Sequence, residues 1–388
     1  MLRKICLLCT CLVIAACSFG FGDSTAAGRI RISLLTCGTG DQAWETFGHT
    51  ALRIVDSSAH GEQRDLVYNY GMFNGFDKDF EINFMKGKLP YFVGIETFRE
   101  FMDEYLRYNR NVFEQELVMT VAQKLQLKNA LDLNTLPQNC FYKYDFFFDN
   151  CSTRIRDIIP NTIGSSFKWG NAYPTPYGLS FRDIINQYFY YKHWTRIGVN
   201  ILLGSKIDRK MTNLEIMFLP DFLSKGLAGA QVDGKPVAGQ PITLIAGAPE
   251  PPTGTNGPVL VFWTIAIVTL CGLTIKPLVI LGKIMTKLLL ILTGLLGCFL
   301  LVMWFGTDHQ TCANNFNLLW LLPTNLLLVF SKPKGRGKYA LVCIALIFVT
   351  LILHVFKVQM VTIYELCPLF LALIFVYAGI YFRSIRVA

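Results

Sequence analysis

Two stretches decide how this chain reads: Thr46-Phe47-Gly48-His49-Thr50-Ala51-Leu52-Arg53-Ile54 and Tyr144-Asp145-Phe146-Phe147-Phe148-Asp149-Asn150-Cys151-Ser152-Thr153-Arg154. The first alternates as a strand opened by Gly-His. The second is an aromatic run that stops on turn and cap formers and then a cysteine. That order places Cys151 in the first turn of a helix, where free amides and the helix dipole favour a thiolate. A thiol and an imidazole are the minimum for nucleophilic acyl transfer.

Outward from these stretches, Arg29–Thr36, His49–Val55, Leu66–Tyr70 and Val112–Thr120 alternate as strands. Glu96–Arg107 puts Phe98, Phe101, Tyr105 and Tyr108 at helical spacing, Ala122–Leu133 reads as helix, and Cys151–Ile159 reads as a helix stopped by Pro160. The class is therefore α+β with a largely antiparallel sheet. A thiol site also needs a polar group to orient the imidazole. Asn69, on the next strand, is the candidate; Asp56 and Asp65 lie near turns. Asn150, Ser152 and Arg154 are candidates to support the thiolate or an oxyanion through the helix start and local positive charge. No zinc-type ligand spacing, phosphate-binding loop or dinucleotide fingerprint occurs, so neither metal nor cofactor is expected.

The ends bound the compartment. Arg3 and Lys4 precede an apolar stretch and small residues, the pattern of a secretory signal over residues 1–27. Ile14-Ala15-Ala16-Cys17 resembles a lipobox and Ser24-Thr25-Ala26-Ala27 an ordinary cleavage site; simple removal is preferred. The exported part, 28–225, holds Cys37, Cys140 and Cys151, an odd number, so at least one thiol stays unpaired within it. Residues 226–257, rich in Gly, Pro and Ala, read as a linker. From 258 to 388 five apolar runs follow, near Pro258–Ile275, Leu288–Phe305, Phe316–Phe330, Tyr339–Phe356 and Val361–Phe382, the third interrupted by Pro323 and Asn325. Lys276, Lys283, Lys287, Lys332, Lys334, Arg336, Lys338, Arg383 and Arg386 fall on one side, which puts the sheet domain outside. The net charge of +9 is largely this orientation signal and needs no nucleic-acid partner. On the outer side lies the polar segment Thr307–Trp320, where His309, Asn317 and Trp320 are candidates for placing lipid or substrate.

Leu34-Leu35-Thr36-Cys37-Gly38-Thr39-Gly40, the runs at Phe47–Ile54 and Tyr144–Asp157, Asn69-Tyr70-Gly71, Lys86-Gly87-Lys88-Leu89, Phe218-Leu219-Pro220-Asp221 and Thr307–Trp320 together resemble the Lnb family of bacterial lipoprotein N-acyltransferases. The resemblance implies a circularly permuted papain-like fold of the NlpC type, with the histidine strand before the cysteine helix, an order also found in lecithin:retinol acyltransferase. It implies His49 as general base and Cys151 as nucleophile. Gln42 departs from the acidic residue expected there. The implied reaction moves an acyl chain from a phospholipid, through a Cys151 thioester, to the N-terminal amine of a diacylglyceryl-cysteine lipoprotein at the inner membrane. The competing readings are an NlpC-like peptidoglycan amidase or endopeptidase, and a non-catalytic membrane scaffold.

Overall fold

A computed structural model of the protein describes residues 30–42, 45–57, 64–74, 78–174, 178–248, 254–331 and 336–387. The expected signal segment, with Cys17 and the Ala27 cleavage site, lies outside them.

The chain opens with β1 (Ile30–Cys37), β2 (His49–Asp56) and β3 (Arg64–Met72), then helix α1 (Phe80–Lys86), β4 (Pro90–Thr97) and α2 (Phe98–Arg107). Next come β5 (Val112–Glu116), α3 (Val121–Asn134), β6 (Phe141–Lys143) and α4 (Cys151–Ile163). The outer domain closes with β7 (Phe167–Lys168), α5 (Phe181–Tyr188), α6 (His193–Leu202), α7 (Asn213–Ile216), α8 (Pro220–Ala228), β8 (Gln231–Val232), β9 (Lys235–Pro236) and β10 (Ile242–Ile245). Seven strands form one sheet in the order β10-β5-β1-β2-β3-β4-β6, every pair antiparallel.

Alternation buries both faces of the central strands. Ile32, Leu34, Leu52, Ile54, Tyr68 and Tyr70 face a core shared with Ile155 and Ile159 of α4 and with Phe218, Leu223 and Leu227. The residues between them, Leu35, Cys37, Ala51 and Val67, face Phe101 and Tyr105 of α2. The cysteine helix and α2 therefore clamp the sheet from opposite sides. Contrary to the expected stop at Pro160, α4 runs on to Ile163. Proline removes only one ladder donor, while burial of Ile155 and Ile159 and a closing Gly164 N–H bond to the Pro160 carbonyl hold the last turn. Cys37 and Cys140 are both free thiols.

The stretch expected as a linker is instead partly built into the fold. Residues 226–228 finish α8, and β10 extends the main sheet by pairing with β5, with Ile242 opposite Glu114. Its physical reason is a free sheet edge: β5 would otherwise expose its amides and carbonyls.

Among the described residues four helices are long and apolar enough to cross a membrane: α9 (Gly257–Thr274), α10 (Val279–Phe305, extended by a 3-10 turn from Lys276), α12 (Arg336–Val355) and α13 (Ile363–Val387). The third expected run is not a spanning helix. It consists of a 3-10 turn at Phe316–Leu319, a break at Pro323, and the short α11 (Asn325–Phe330). Irregular backbone at membrane depth is tolerated only where protein covers it. Here Gly297 of α10 lets the break come close; a Cβ there would lie 2.0 Å from the Leu321 carbonyl oxygen. Asn325, fully buried, donates to Thr293 at 3.0 Å and accepts from the Tyr339 and Tyr377 hydroxyls, each at 3.0 Å. The ends joined by this segment lie at opposite ends of the bundle: Asp308 bonds the sheet domain, while Gly337 packs on Ser384 near the chain's far terminus.

The two parts are joined by many bonds besides the connecting chain. The Ile201 and Leu202 carbonyls accept from Asn315, and Gly204 N–H donates to Thr311. Met360 N–H donates to Asp208, and Arg196 pairs with Glu365.

Candidate active site

His49 is the first residue of β2 and sits in register with Cys37. Before it, Gly48 has φ of 75°, and a Cβ there would lie 2.4 Å from the Cys37 carbonyl oxygen. Only glycine fits that entry to the strand. Cys151 opens α4 behind a reciprocal cap: the Asn150 side chain accepts from Thr153 N–H at 2.9 Å, and Thr153 Oγ1 accepts from Asn150 N–H at 2.8 Å. The thiol thus stands at a helix start whose leading amides are not taken up by the helix ladder.

The imidazole and the thiol lie close enough for each to shift the other's protonation. Asn69 Oδ1 lies 2.6 Å from His49 Nε2, which leaves Nδ1 to face the sulfur. Asn69 Nδ2 in turn donates to Glu96 at 2.7 Å. The sheet explains this line. Asn69 pairs with Gly94 of β4, so Glu96, two residues on, is its diagonal neighbour on the same face. Gly71, at φ of 94° in a bulge between β3 and β4, leaves room beside the pair; a Cβ there would lie 3.8 Å from His49 Cε1 and 3.9 Å from Cys151 Cβ.

The electrostatics follow from this packing. Burial alone would raise the Cys151 pKa, but the adjacent His49 charge, its hydrogen bond and bonds from Thr50 hold it down to about 6. Burial opposes the imidazolium, yet the thiolate and the bonds to Cys151 and Asn69 raise the His49 pKa. The arrangement favours transfer of the thiol proton to the imidazole, which stabilises a thiolate–imidazolium pair. By contrast, burial without such a partner pushes Cys37 up to about 12. The Glu96 carboxyl is raised by burial against the lowering effect of Asn69.

The other expected site residues divide. Ser152, fully buried, bonds Thr50 Oγ1 at 2.7 Å, and that hydroxyl also donates to Cys151 Sγ at 3.6 Å. Asn150 does not face the sulfur; besides capping, its Nδ2 donates to the Phe146 and Phe218 carbonyls. Arg154 pairs with Asp149 and lies over the Tyr142 ring at 4.2 Å. His309 bonds the Phe84 carbonyl at 3.1 Å, at the rim of the sheet domain. Asn317 and Trp320 are each 1% exposed, so neither faces lipid or a substrate cavity. Asn317 donates to the Ile201 carbonyl and accepts from Trp320 Nε1, so the seam between the two parts consumes both polar groups.

Sequence reasoning passed over three residues here: Glu96, Thr50 and Tyr142. The Tyr142 hydroxyl is buried, has no hydrogen-bond partner, and lies 3.9 Å from where a Gly71 Cβ would stand, the same distance as Cys151 Cβ from that point. Its orphaned state was the signal available, and only the fold carries it. Among the described residues no group of His, Cys, Asp and Glu is placed to hold a metal ion.

Comparison with known proteins agrees with this division. Residues 21–187 match the Lnb N-terminal periplasmic domain and residues 252–386 match the Lnb transmembrane domain. No curated protein and no solved structure matches the chain. Both parts, the outer domain that carries the thiol site and the membrane bundle beneath it, match models of one family, and the protein belongs to the Lnb family, a multi-pass membrane protein with a periplasmic domain.

Proposed function

We propose that this protein is a cysteine-dependent lipoprotein N-acyltransferase of the inner membrane. The carrying observation is the Cys151–His49–Asn69 arrangement, with its lowered thiol pKa, in a chain whose two parts match the two Lnb domains. The order of histidine strand before cysteine helix supports a circularly permuted papain-like reading of the domain. The broken segment between α10 and α12 supplies the remaining membrane crossing.

In the first half-reaction the Cys151 thiolate attacks an ester carbonyl of a phospholipid. The oxyanion that forms accepts hydrogen bonds from the leading amides of α4 and from the Tyr142 hydroxyl, which has no other partner to lose. Collapse breaks the ester C–O bond; the His49 imidazolium gives its proton to the departing lysophospholipid oxygen, leaving an S-acyl enzyme. In the second half, the α-amine of a diacylglyceryl-cysteine attacks the thioester. His49 takes the ammonium proton, the thiolate leaves, and the amide remains. Asn69 holds the ring so that Nδ1 faces sulfur throughout, and Glu96 holds Asn69.

Both substrates reside in the bilayer, and the extensive bonding between the domain and the bundle keeps the thiol at that surface. A peptidoglycan hydrolase would need the bundle only as an anchor. The test is mass spectrometry of lipoprotein N-termini in cells with and without the gene, and with Cys151→Ala. Loss of the N-acyl chain in both deficient strains is expected, together with an S-acyl adduct on Cys151 in the intact protein; unchanged N-termini would sink the proposal.

A further inference from the structure

Helix α1, Phe80–Lys86, sits in the connection between β3 and β4, the two strands that carry Asn69 and Glu96. Its sequence is Phe-Glu-Ile-Asn-Phe-Met-Lys, and Ile82, Phe84 and Met85 are 47%, 52% and 55% exposed. Exposed apolar side chains on so short a helix are costly in water and are a mark of an interaction surface. They are clustered: Ile82 and Met85, three apart, share one face.

The position of α1 identifies what covers it. Its C-terminal end is pinned to the turn that follows the membrane helix α10: Asp308 N–H donates to the Lys86 carbonyl at 2.9 Å, and His309 Nε2 contacts the Phe84 carbonyl at 3.1 Å. The same turn receives Lys143, next to Tyr142, through Asp308 at 2.7 Å. Helix α10 has 27 residues, about 40 Å by its rise, longer than a hydrocarbon core of about 30 Å. It ends in Trp304 and Phe305, stacked with centroids 4.9 Å apart, an aromatic pair of the kind found at a bilayer boundary. The turn at Asp308, and α1 with it, therefore lies at headgroup depth. Lys86 and Lys88 stand together at the C-terminal end of the helix, beside this turn, and suit lipid phosphates. From this connection an aromatic line leads inward: Phe73 meets Tyr91 at 5.5 Å, and Tyr91 stacks on Tyr144 at 4.2 Å. Tyr144 is within the electrostatic reach of Cys151.

We propose that α1 is an interfacial foot: Ile82 and Met85 enter the outer leaflet and hold glycerophospholipid beside the opening to the Cys151 thiol. The contact is with bilayer phospholipid, and its existence does not depend on acyl transfer.

The test uses the full chain in nanodiscs of phosphatidylethanolamine and phosphatidylglycerol, with benzoylphenylalanine placed at position 82 or 85. Position 302, on the lipid-exposed face of α10, is the reference. Irradiation is expected to give phospholipid adducts at 82 and 85 in a yield within about threefold of that at 302. Adducts at 302 with none at 82 or 85 would overturn the proposal. As a second measurement, the Ile82→Glu/Met85→Glu chain should lose about tenfold or more in S-acylation of Cys151 from bilayer phospholipid, while iodoacetamide alkylates Cys151 at an unchanged rate. S-acylation equal to that of the unaltered chain would also overturn it. Loss of S-acylation in every chain, with adducts intact at 82 and 85, would instead count against the proposed reaction and leave the lipid contact standing.

Discussion

The thiol site of the sheet domain and the Asn325 hub of the membrane bundle are both small polar clusters in apolar surroundings, and they differ in what they leave unsatisfied. At the hub, Asn325 uses its donor on Thr293 and its acceptor on two tyrosine hydroxyls. At the thiol site, a shifted thiol, a histidine and a buried tyrosine hydroxyl without partner stand together. A closed network specifies a structure; an open one keeps groups ready for a ligand that arrives later. The contrast can be broken at either end.

The largest effect is expected at the thiol itself. Cys151→Ala should remove S-acylation altogether, and His49→Ala should slow it by about two to four orders of magnitude. The pH dependence has a definite sign. The thiol pKa is held down to about 6, so alkylation of Cys151 should be nearly flat above neutrality. Below that value the protonated thiol dominates, and the rate should fall about tenfold per pH unit. Iodoacetamide kinetics from acid to mildly basic pH check this. A midpoint at the ordinary thiol value would show that His49 does not charge-pair with Cys151.

Tyr142→Phe separates the two clusters most sharply. Because the hydroxyl bonds nothing in the resting protein, its removal should leave thermal stability unchanged or slightly raised. If it donates to the oxyanion, S-acylation should fall by about a hundredfold or more. Single-turnover acylation set beside a melting curve decides it. Unchanged turnover would leave the α4 amides as the oxyanion donors. Asn325→Leu should behave in the opposite way. It removes the acceptor shared by the Tyr339 and Tyr377 hydroxyls and the donor to Thr293. Tyr339 keeps its bond to Thr324 and Thr293 its bond to the Leu289 carbonyl, so the loss should be about 1–3 kcal/mol in all, and the alkylation rate of Cys151 in the surviving folded protein should not change. Thermal unfolding in detergent measures the first part.

Legibility divides along the same line. His49 and Cys151 could be read from sequence because their signals are local, a glycine before a strand and a cap before a helix. Asn69 could be proposed because consecutive strands in an antiparallel sheet are neighbours. Glu96 could not: its contact depends on the register of β4, and its sequence context reads as the start of a helix, although it belongs to the strand before α2. Tyr142 lies in a three-residue strand at the sheet edge, too short for periodicity to detect. In the membrane part, apolar runs revealed four helices, but hydropathy is blind to backbone shape and cannot show that residues 316–330 form a broken segment rather than one continuous helix. Asn317 and Trp320 resembled interfacial residues by composition, whereas the fold uses them to close the seam. The Gly/Pro content of 226–257 hid β10 for a related reason: a free sheet edge can recruit a strand that local propensity does not announce.

The smallest expected effect tests how far the open cluster extends behind the imidazole. Glu96 touches neither sulfur nor ring; it accepts from Asn69 Nδ2 and so turns Asn69 Oδ1 toward His49. Glu96→Gln keeps an acceptor of the same shape but removes the negative charge that favours a protonated ring. The His49 pKa, raised chiefly by Cys151 and Asn69, should then fall slightly, because Glu96 and His49 interact electrostatically. The proton that His49 must give to the leaving group would be lost at lower pH, so the basic limb of the pH–rate profile should move to more acidic pH. The maximal rate should fall only a few-fold, roughly 1 kcal/mol, as for a neutral hydrogen bond exchanged for a charged one. A displaced basic limb with a nearly unchanged acid limb is the signature of positioning through Asn69. A uniform loss of rate at every pH would instead mean that Glu96 matters only for folding β4 against β3.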